Sequence, residues 1–343
     1  MSRRFVVLFL AFFTICIGGI GFFLFHHFKK SEVKSVVSSE YMNEQKWIKS
    51  YGKDQDIQYL SESIGQYMTY LLLIEDHAEF NQQVDVLKKN YLVEKDGQVY
   101  IKWQLAEGTA TNALVDDLRI IEALSEGGEL FQEPSYSELA AKLKKTIELK
   151  QSISGMMVDF YDWELEKATT TLHLSYLNHN VLQAFESTKT DAYLHLLRGA
   201  VDSPFFYEIY DVENKVYQAA DQKNVNMIDQ LLIAIQYHKW TGKVPTEFDQ
   251  WLKKELDSKG KLFGAYQKGS LEPAVPYESS AVYALGVLYF FETGDPSYAD
   301  VLHELLLKQP PFERDPDFKT IHFFDYMYSK TADELWKQRD GSY

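Results

Sequence analysis

Apolar residues recur at helical spacing along this chain from about residue 41 almost to its C-terminus. The clearest helices are predicted at Glu62–Glu75, Ala78–Tyr91, Leu114–Leu124, Tyr136–Leu149, Val181–Arg198, Val225–Trp240, Glu247–Leu256, Tyr277–Glu292 and Tyr298–Leu307. Residues that commonly end helices lie between them, as in Gly127-Gly128 and Gly294-Asp295-Pro296. The chain is therefore predicted to be mainly α-helical.

Short β-prone segments lie between some of these helices. They are predicted as hairpins on the connecting loops, at Leu92–Gln104, Met156–Trp163 and Phe205–Tyr217, and Asp96-Gly97 marks the turn of the first. Antiparallel helix pairs that are joined by alternating short and long loops would build a helical toroid. Such a toroid has a groove at one end, where the longer loops lie.

One long apolar run without charges, Phe5 to Phe25, stands at the N-terminus. Its 21 residues would span about 31 Å as a helix, close to the roughly 30 Å hydrocarbon core of a bilayer. We expect a single transmembrane anchor, with residues 1–4 in the cytoplasm. A signal peptide usually has a shorter apolar core, and Ile15 precedes Cys16 where a lipoprotein signal would have a small residue. Cleavage and lipidation are the less favoured alternatives.

The rest of the chain is divided by composition. Residues 26–40 are basic and Ser-rich and are predicted to be a stalk, and residues 41–320 are predicted to form the globular domain. Residues 321–343 are predicted to be a tail that packs on this domain or is partly disordered. Basic residues flank the apolar run almost equally on both sides, so the charges alone leave the orientation of the anchor open.

Composition restricts the classes of ligand and partner. The net charge of −15 is unsuited to nucleic acid, which is bound by clustered Lys and Arg. Neutral or cationic polymers are better suited, and the 15% of aromatic residues could stack on sugar rings, although most aromatics serve the core. Cys16 is the only cysteine, and the nine histidines show no ligand spacing. No metal or other cofactor is expected.

One predicted helix opens with the segment Ser61-Glu62-Ser63-Ile64-Gly65-Gln66-Tyr67-Met68. Ser61 can cap this helix, and Glu62 then lies in its first turn, where the helix dipole favours a carboxylate. The segment resembles the signature of glycoside hydrolase family 8, Ser-Glu-Gly-Gln-x-Tyr-Gly-Met, at its first two positions and its last. Further residues in the order of that family are Trp47, Ile48 and Gly52 upstream and Glu75, Asp76 and Phe80 downstream.

The resemblance spans about residues 44 to 308 and implies an (α/α)6 barrel in which Glu62 is the general acid. A second acidic segment of the family is similar to Ala110–Ile121, which contains Asp116 and Asp117. Neighbouring helical residues point about 100° apart, so only one of the two should face the groove. In the family, the acidic residues of this segment hold the sugar at the cleavage point. Alignment by the following Leu118 and Ile120 favours Asp117 for this role.

A third acidic segment of the family resembles Pro276–Ala281, where Glu278 occupies the position of the carboxylate that activates water. The Arg that follows in the family is missing, and Glu is one methylene longer than the family's Asp. Two outlying segments also resemble the family: Leu174–Leu177 is similar to a Ser-Tyr-Phe segment that opens a helix, and Ser203–Tyr207 is similar to a loop. The residues expected to bind substrate are Asp116, Trp103, Tyr67, Tyr176 and Tyr277.

These features together predict an inverting glycoside hydrolase that is anchored in the membrane and cleaves a β-1,4-linked extracellular polysaccharide. Inversion requires two carboxylates about 6.5 to 9.5 Å apart, with room for a water molecule. A polysaccharide synthase complex is a possible partner. Two alternatives remain open: a non-catalytic polysaccharide-binding or assembly protein on the same fold, and a polysaccharide lyase built as a helical toroid.

Overall fold

The computed structural model describes residues 32–53, 57–186 and 190–340, so the predicted anchor lies outside the described residues. Within these ranges, no helix is long and apolar enough to cross a membrane. We label the first helix α1; its described part is residues 32–36 and a π-helical turn, Val37–Tyr41. The other α-helices are α2 (Ser61–Leu73), α3 (His77–Val86), α4 (Leu114–Leu130), α5 (Pro134–Lys150), α6 (His179–Leu182), α7 (Thr190–Gly199), α8 (Met227–Thr241), α9 (Thr246–Lys259), α10 (Ser280–Thr293), α11 (Pro296–Leu306) and α12 (Phe323–Asp340).

The even-numbered helices form a closed inner ring. Packing contacts join α2 to α4, α8 to α10, α10 to α12, and α12 back to α2, while the short α6 and the 3-10 turn Leu174–Tyr176 fill the place between α4 and α8. The odd-numbered helices surround this ring, and one apolar core fills the space between the two layers. The arrangement is an (α/α)6 barrel, which confirms the predicted all-α fold class.

The loops that lead into the inner helices contain short antiparallel strands. They are β1 (Leu92–Lys95), β2 (Gln98–Ile101), β3 (Ser152–Ile153), β4 (Met156–Met157), β5 (Tyr161–Asp162), β6 (Lys167–Ala168), β7 (Thr171–His173), β8 (Val201–Asp202), β9 (Phe205–Phe206), β10 (Ile209–Asp211), β11 (Val216–Gln218), β12 (Asn224–Asn226) and β13 (Ala265–Gln267). All but one sheet are pairs, and the exception has the order β11-β10-β7. We call the end of the barrel where the inner helices begin the cleft end, and the other the opposite end.

Several predicted helix boundaries differ from the structure. Helix α4 continues through Gly127-Gly128 to Leu130, although this glycine pair was predicted to lie between helices. The helix predicted at Val181–Arg198 is two helices, α6 and α7, with residues between them outside the described ranges. The helix predicted from Val225 begins at Met227, because Val225 pairs with Tyr266 in the β12–β13 ladder. The helix predicted from Tyr277 begins at Ser280, so Tyr277 and Glu278 lie on a loop.

Both ends of the predicted domain need correction. The described part of the predicted stalk, residues 32–40, belongs to α1, where Val33 and Val37 are buried in the core. The predicted tail, as far as residue 340, is α12, the sixth inner helix, which buries Phe323, Tyr326 and Met327. Charged residues interrupt the apolar pattern of both segments, and in α12 some of them, such as Asp333 and Glu334, are themselves buried.

Close helix packing makes Gly127 sensitive to substitution. A Cβ at this position of α4 would lie 2.7 Å from Cζ of Phe80, a fully buried ring that cannot move aside. We expect Gly127→Val to lower the free energy of unfolding by about 1–3 kcal/mol, the usual effect of overpacking. Denaturant unfolding measures this. The control Gly269→Val adds a side chain where no atom lies within 4 Å, so it should be near neutral.

Candidate active site

Glu62 lies in the first turn of α2, at the cleft end of the barrel. The N-cap residue of α2 is Leu60, whose apolar side chain cannot accept a hydrogen bond from the helix. Ser61 is already the first helical residue, so the prediction that Ser61 caps α2 is wrong. The Ser61 hydroxyl instead donates to Oδ2 of Asp116 at 2.9 Å, and the Ser61 backbone N–H donates to the carbonyl of Trp103 at 2.9 Å. These bonds fix the start of α2 against α4 and the loop after β2.

Helix α4 contributes Asp116 and Arg119 to the same place. Nη1 of Arg119 lies 3.0 Å from Oδ1 of Asp116, and the Arg119 guanidinium also bonds the Tyr328 side chain on α12. The backbone N–H of Glu62 donates to Asp116 as well. A Cβ at Gly65 would lie 3.2 Å from Cδ of Arg119, so a glycine one turn after Glu62 lets the two helices approach closely.

The pKa of the Glu62 carboxyl is raised to about 7. Burial is the largest cause, because it penalises the charged form, and the nearby Asp116 carboxylate adds to it. The Arg119 guanidinium acts in the opposite direction but does not cancel the shift, and Asp325 raises the pKa further. Glu62 is therefore a carboxylic acid that can hold a proton near neutral pH, as a general acid must.

The two adjacent aspartates of α4 face different surroundings. Asp116 meets Ser61 and Arg119 in the cleft, whereas Asp117 is buried on the α5 side, where its Oδ2 accepts from Asn112 at 2.5 Å. Asn112 also bonds Gln151 at the end of α5. The structure thus reverses the orientation that we expected from the sequence, because the rotation of α4 about its axis was not fixed by Leu118 and Ile120.

Asp325, in the first turn of α12, is a carboxylate of this site that the sequence did not reveal. Its side chain accepts from Ser279 and Ser280 and from the backbone N–H of Ala281, all at the start of α10. Burial raises the pKa of Asp325. Asp325 joins α12 to α10 and places a further negative charge near Glu62.

Tyr176 lies near four carboxylates, because the charges of all four act on the pKa of its phenol. Burial and then the charges of Asp159, Asp229, Asp116 and Glu62 raise the pKa of its phenol to about 12. Asp229 lies in the first turn of α8, and burial raises its pKa as well, against the hydrogen bond from Ser175 and the charge of His173. Asp159 and Asp229 are further members of the site that the sequence did not reveal.

His173 is held against Asp159 beside this cluster. Its Nδ1 lies 2.7 Å from Oδ2 of Asp159, its backbone N–H donates to Oδ1 at 2.6 Å, and its ring stacks on Tyr176. Burial works against the charged imidazolium, but the bond and charge of Asp159 and the charge of Asp229 outweigh it and raise the pKa of His173. A positive charge is thereby favoured next to Asp229.

The barrel places Glu62 and Asp229 on facing helices. In the ring order α2, α4, α6, α8, α10, α12, the helix opposite α2 is α8, and both carboxylates lie in first turns at the cleft end. Both carboxylates act on the Tyr176 phenol, so they lie near it from two facing helices, and such a pair can flank a sugar ring.

Glu278 lies on the loop just before α10, next to Ser279, whose hydroxyl bonds Asp325. The Glu278 carboxylate accepts a hydrogen bond from the Tyr283 hydroxyl and lies 3.5 Å from Nζ of Lys261. It is not among the carboxylates that raise the pKa of Glu62 or Tyr176. The predicted role of Glu278 as the carboxylate that activates water stays a prediction.

The predicted aromatic contacts divide into three groups. Tyr176 lies in the centre of the site. Trp103, 37% exposed, and Tyr277, 60% exposed, lie on loops at the cleft end, where rings are open to a ligand. Tyr67 is only 1% exposed and is part of the core, so its predicted role in substrate binding is not compatible with its position.

A cavity of about 510 Å³ occupies the barrel axis beneath the carboxylates. Its wall includes Arg119, Tyr176 and Tyr328 from the site, but Glu62, Asp116 and Asp229 lie outside it. The buried Gln66 amide also lines it and has no hydrogen-bond partner among the described residues. The cavity therefore forms a space below the site, not the cleft itself. In the part of the chain that the structure describes, no group of three or more His, Cys, Asp or Glu side chains could hold a metal ion.

The barrel is similar to solved structures of carbohydrate-active enzymes. It matches endoglucanase Cel10 of Klebsiella pneumoniae, a family 8 glycosyl hydrolase, with TM-score 0.66 and 13% identity over 90% of this chain and 99% of that one. An α-amylase from Clostridium perfringens matches with TM-score 0.78 and 18% identity over 89% and 97%. The chain thus has the fold of glycoside hydrolase family 8.

Two relatives are closer in sequence. PssZ of Listeria monocytogenes is 38% identical, with TM-score 0.83 over 88% of this chain and 94% of that one. The putative lipoprotein YdaJ of Bacillus subtilis is 32% identical over 256 residues, which are 72% of this chain and 68% of YdaJ. No family model matches the sequence. This chain belongs to the family of PssZ and YdaJ.

The pair of Asp159 and His173 yields a prediction that needs no substrate. Asp159→Asn removes the negative charge that does most to raise the His173 pKa, and burial is then opposed only by the smaller effects of Asp229 and Glu208, so this pKa should fall. Proton NMR titration of the imidazoles measures it, with His173→Gln to assign the signal. His322 serves as an internal reference, since burial alone already lowers its pKa. An unchanged His173 titration would contradict the arrangement described above.

Proposed function

We propose that this protein is an inverting glycoside hydrolase that cleaves a β-1,4-linked extracellular polysaccharide from a membrane-tethered position. The observation that carries the proposal is the Glu62 carboxyl, whose pKa of about 7 arises within a group of carboxylates at the cleft end of a family 8 barrel. A glycosidase of this type needs one protonated and one ionised carboxyl group on opposite sides of the bond to be cleaved.

Glu62 acts as the general acid. It donates its proton to the glycosidic oxygen as the bond from that oxygen to the anomeric carbon breaks. The leaving chain departs as an alcohol, with a new non-reducing end. Asp116 and Arg119 hold the start of α2 and α4 together, and Asp116 keeps Glu62 protonated through its negative charge. Asp116, not Asp117, is then the aspartate placed to bind the sugar at the cleavage point.

A second carboxylate takes a proton from the water that attacks the anomeric carbon from the other face. Glu278 was the candidate from the sequence, but Asp229 has the better support from the geometry. It lies on the inner helix that faces α2, next to Tyr176. Burial raises its pKa, but the hydrogen bond from Ser175 and the charge of His173 oppose this and favour the ionised form. Glu278 is instead engaged with Tyr283 and Lys261.

The site of action follows from the N-terminal run Phe5–Phe25, which would place the domain at the outer face of the membrane. The name of YdaJ, a putative lipoprotein, supports membrane attachment in the family, although it points to a lipid instead of a transmembrane helix. For the polymer, the similar structures include endoglucanases, a xylanase and an α-amylase. The substrate panel should therefore contain cellulose derivatives, xylan, chitosan, amino-sugar exopolysaccharide and, as a test of the β linkage, starch.

The role of Glu62 can be tested with Glu62→Gln, which has the same shape but no proton to donate. We expect wild type to release reducing ends from one polymer of the panel and the variant to do so about 100- to 10,000-fold more slowly. The wild-type rate should fall as the pH rises through about 7, because Glu62 then loses its proton. Affinity electrophoresis should show that the variant still binds the polymer. Full activity of Glu62→Gln would refute the assignment.

The two candidates for the water-activating carboxylate are separated by a matched pair of variants. Asp229→Asn should reduce the rate about as strongly as Glu62→Gln, while Glu278→Gln should lower it less than tenfold. Proton NMR of the first product should show an inverted anomer for the wild type. A severe loss only in Glu278→Gln would return the role to Glu278. Binding without release of reducing ends would favour the non-catalytic alternative, and products that absorb in the near ultraviolet would favour a lyase.

A further inference from the structure

The two ends of the barrel differ in which parts of the chain reach them. Glu62 and Asp325 begin α2 and α12 at the cleft end. At the opposite end the same helices finish side by side, where Nε2 of Gln338 donates to the carbonyl of Leu73 at 3.2 Å. Thirteen residues of α2 separate these ends, which is about 20 Å of helix.

Helix α1 enters the barrel at the opposite end. Lys34 forms an ion pair with Asp76, which lies just beyond the last turn of α2, and Val33 is buried nearby in the core. The chain then runs towards the cleft end, where the Tyr41 hydroxyl donates to the carbonyl of Ile321 at 3.1 Å and Tyr51 pairs with His322. Helix α1 is thus antiparallel to α2, and its first described residues lie on the face away from the carboxylates.

The connection to the apolar run is short. Only residues 26–31 lie between Phe25 and Glu32, so the seven backbone steps span at most about 25 Å when fully extended. If the cleft faced the bilayer, this connection would have to run along the whole side of the barrel to reach the start of α1. That distance is about 20 Å for the length of a helix such as α2, and the hairpin loops at the cleft end add to it. A domain that stands on its opposite end needs no such extension.

We propose that the barrel stands on the membrane by its opposite end and presents the cleft away from the lipid surface, at least about 20 Å beyond the point where α1 begins. This inference rests on the membrane attachment of the proposed function. It deepens that function by defining the substrate as polymer that has already left the surface. Sugars that are still joined to a membrane lipid through a short link would remain out of reach of Glu62.

Energy transfer from the domain to the bilayer tests this orientation. The full chain carries Cys16→Ala and one new cysteine, either Leu130→Cys at the last residue of α4 or Leu165→Cys in the β5–β6 turn; both positions are exposed. The protein is reconstituted in phosphatidylcholine vesicles with acceptor-labelled headgroups. Donor dye is added afterwards, so that only outward-facing domains are labelled.

We expect strong transfer from position 130 and weak transfer from position 165, with fitted distances that differ by about 20 Å or more. Insertion of about twenty Gly and Ser residues after Ser31 should shrink this difference, because a flexible linker lets the domain turn. Equal transfer from both positions with the native linker, or stronger transfer from position 165, would overturn the proposal. A chain that fails to float with the vesicles would overturn it too.

The outcome is independent of catalysis. The fitted distances require no turnover, so an inactive protein can still show the proposed orientation. Conversely, release of reducing ends from soluble polymer is measured without a membrane, and an active enzyme can still fail the distance test. Failure of the orientation and failure of the hydrolase assignment therefore give different results.

Discussion

The bond between Arg119 and Asp116 is the interaction on which the site depends. Both side chains are largely withdrawn from water, and a buried charge is tolerated only when it is paired and hydrogen-bonded. Asp116 satisfies this requirement with Arg119, Ser61 and the backbone of Glu62, and Arg119 does so with Asp116 and Tyr328. The result is a fixed junction of α2, α4 and α12 at the point where the acid is needed.

The same junction sets the protonation of Glu62. A carboxyl group beside an arginine would normally lose its proton more easily, yet here the guanidinium is already committed to Asp116. Burial and the negative charges of Asp116 and Asp325 therefore prevail, and the Glu62 pKa rises. On the facing helix burial also raises the pKa of Asp229, but the hydrogen bond from Ser175 and the charge of His173 oppose this shift. The two carboxyl groups are thus both buried, and the surrounding charges act on them differently: Asp116 and Asp325 favour the protonated form of Glu62, whereas His173 favours the ionised form of Asp229.

Much of the fold was predictable from the sequence, because inner and outer helices carry apolar residues at regular spacing. The helices that the sequence concealed are α1 and α12, since charged and polar residues interrupt their apolar patterns. Glu62 was identified because its neighbours along the chain form a local motif. Asp229, Asp325 and the pair of Asp159 and His173 lie on separate helices and loops, so only the closure of the ring brings them to Glu62. The choice between Asp116 and Asp117 failed for a related reason, since it depends on how α4 is rotated against α2.

The most direct test of this account is the pKa of Glu62 in the free protein. Carbon NMR of side-chain carboxyl groups in protein labelled at glutamate can follow its titration, with Glu62→Gln to assign the signal. The account predicts a midpoint at about 7. A midpoint near the ordinary glutamate value of about 4.3 would contradict it, because Glu62 would then be ionised at neutral pH and could not serve as the general acid.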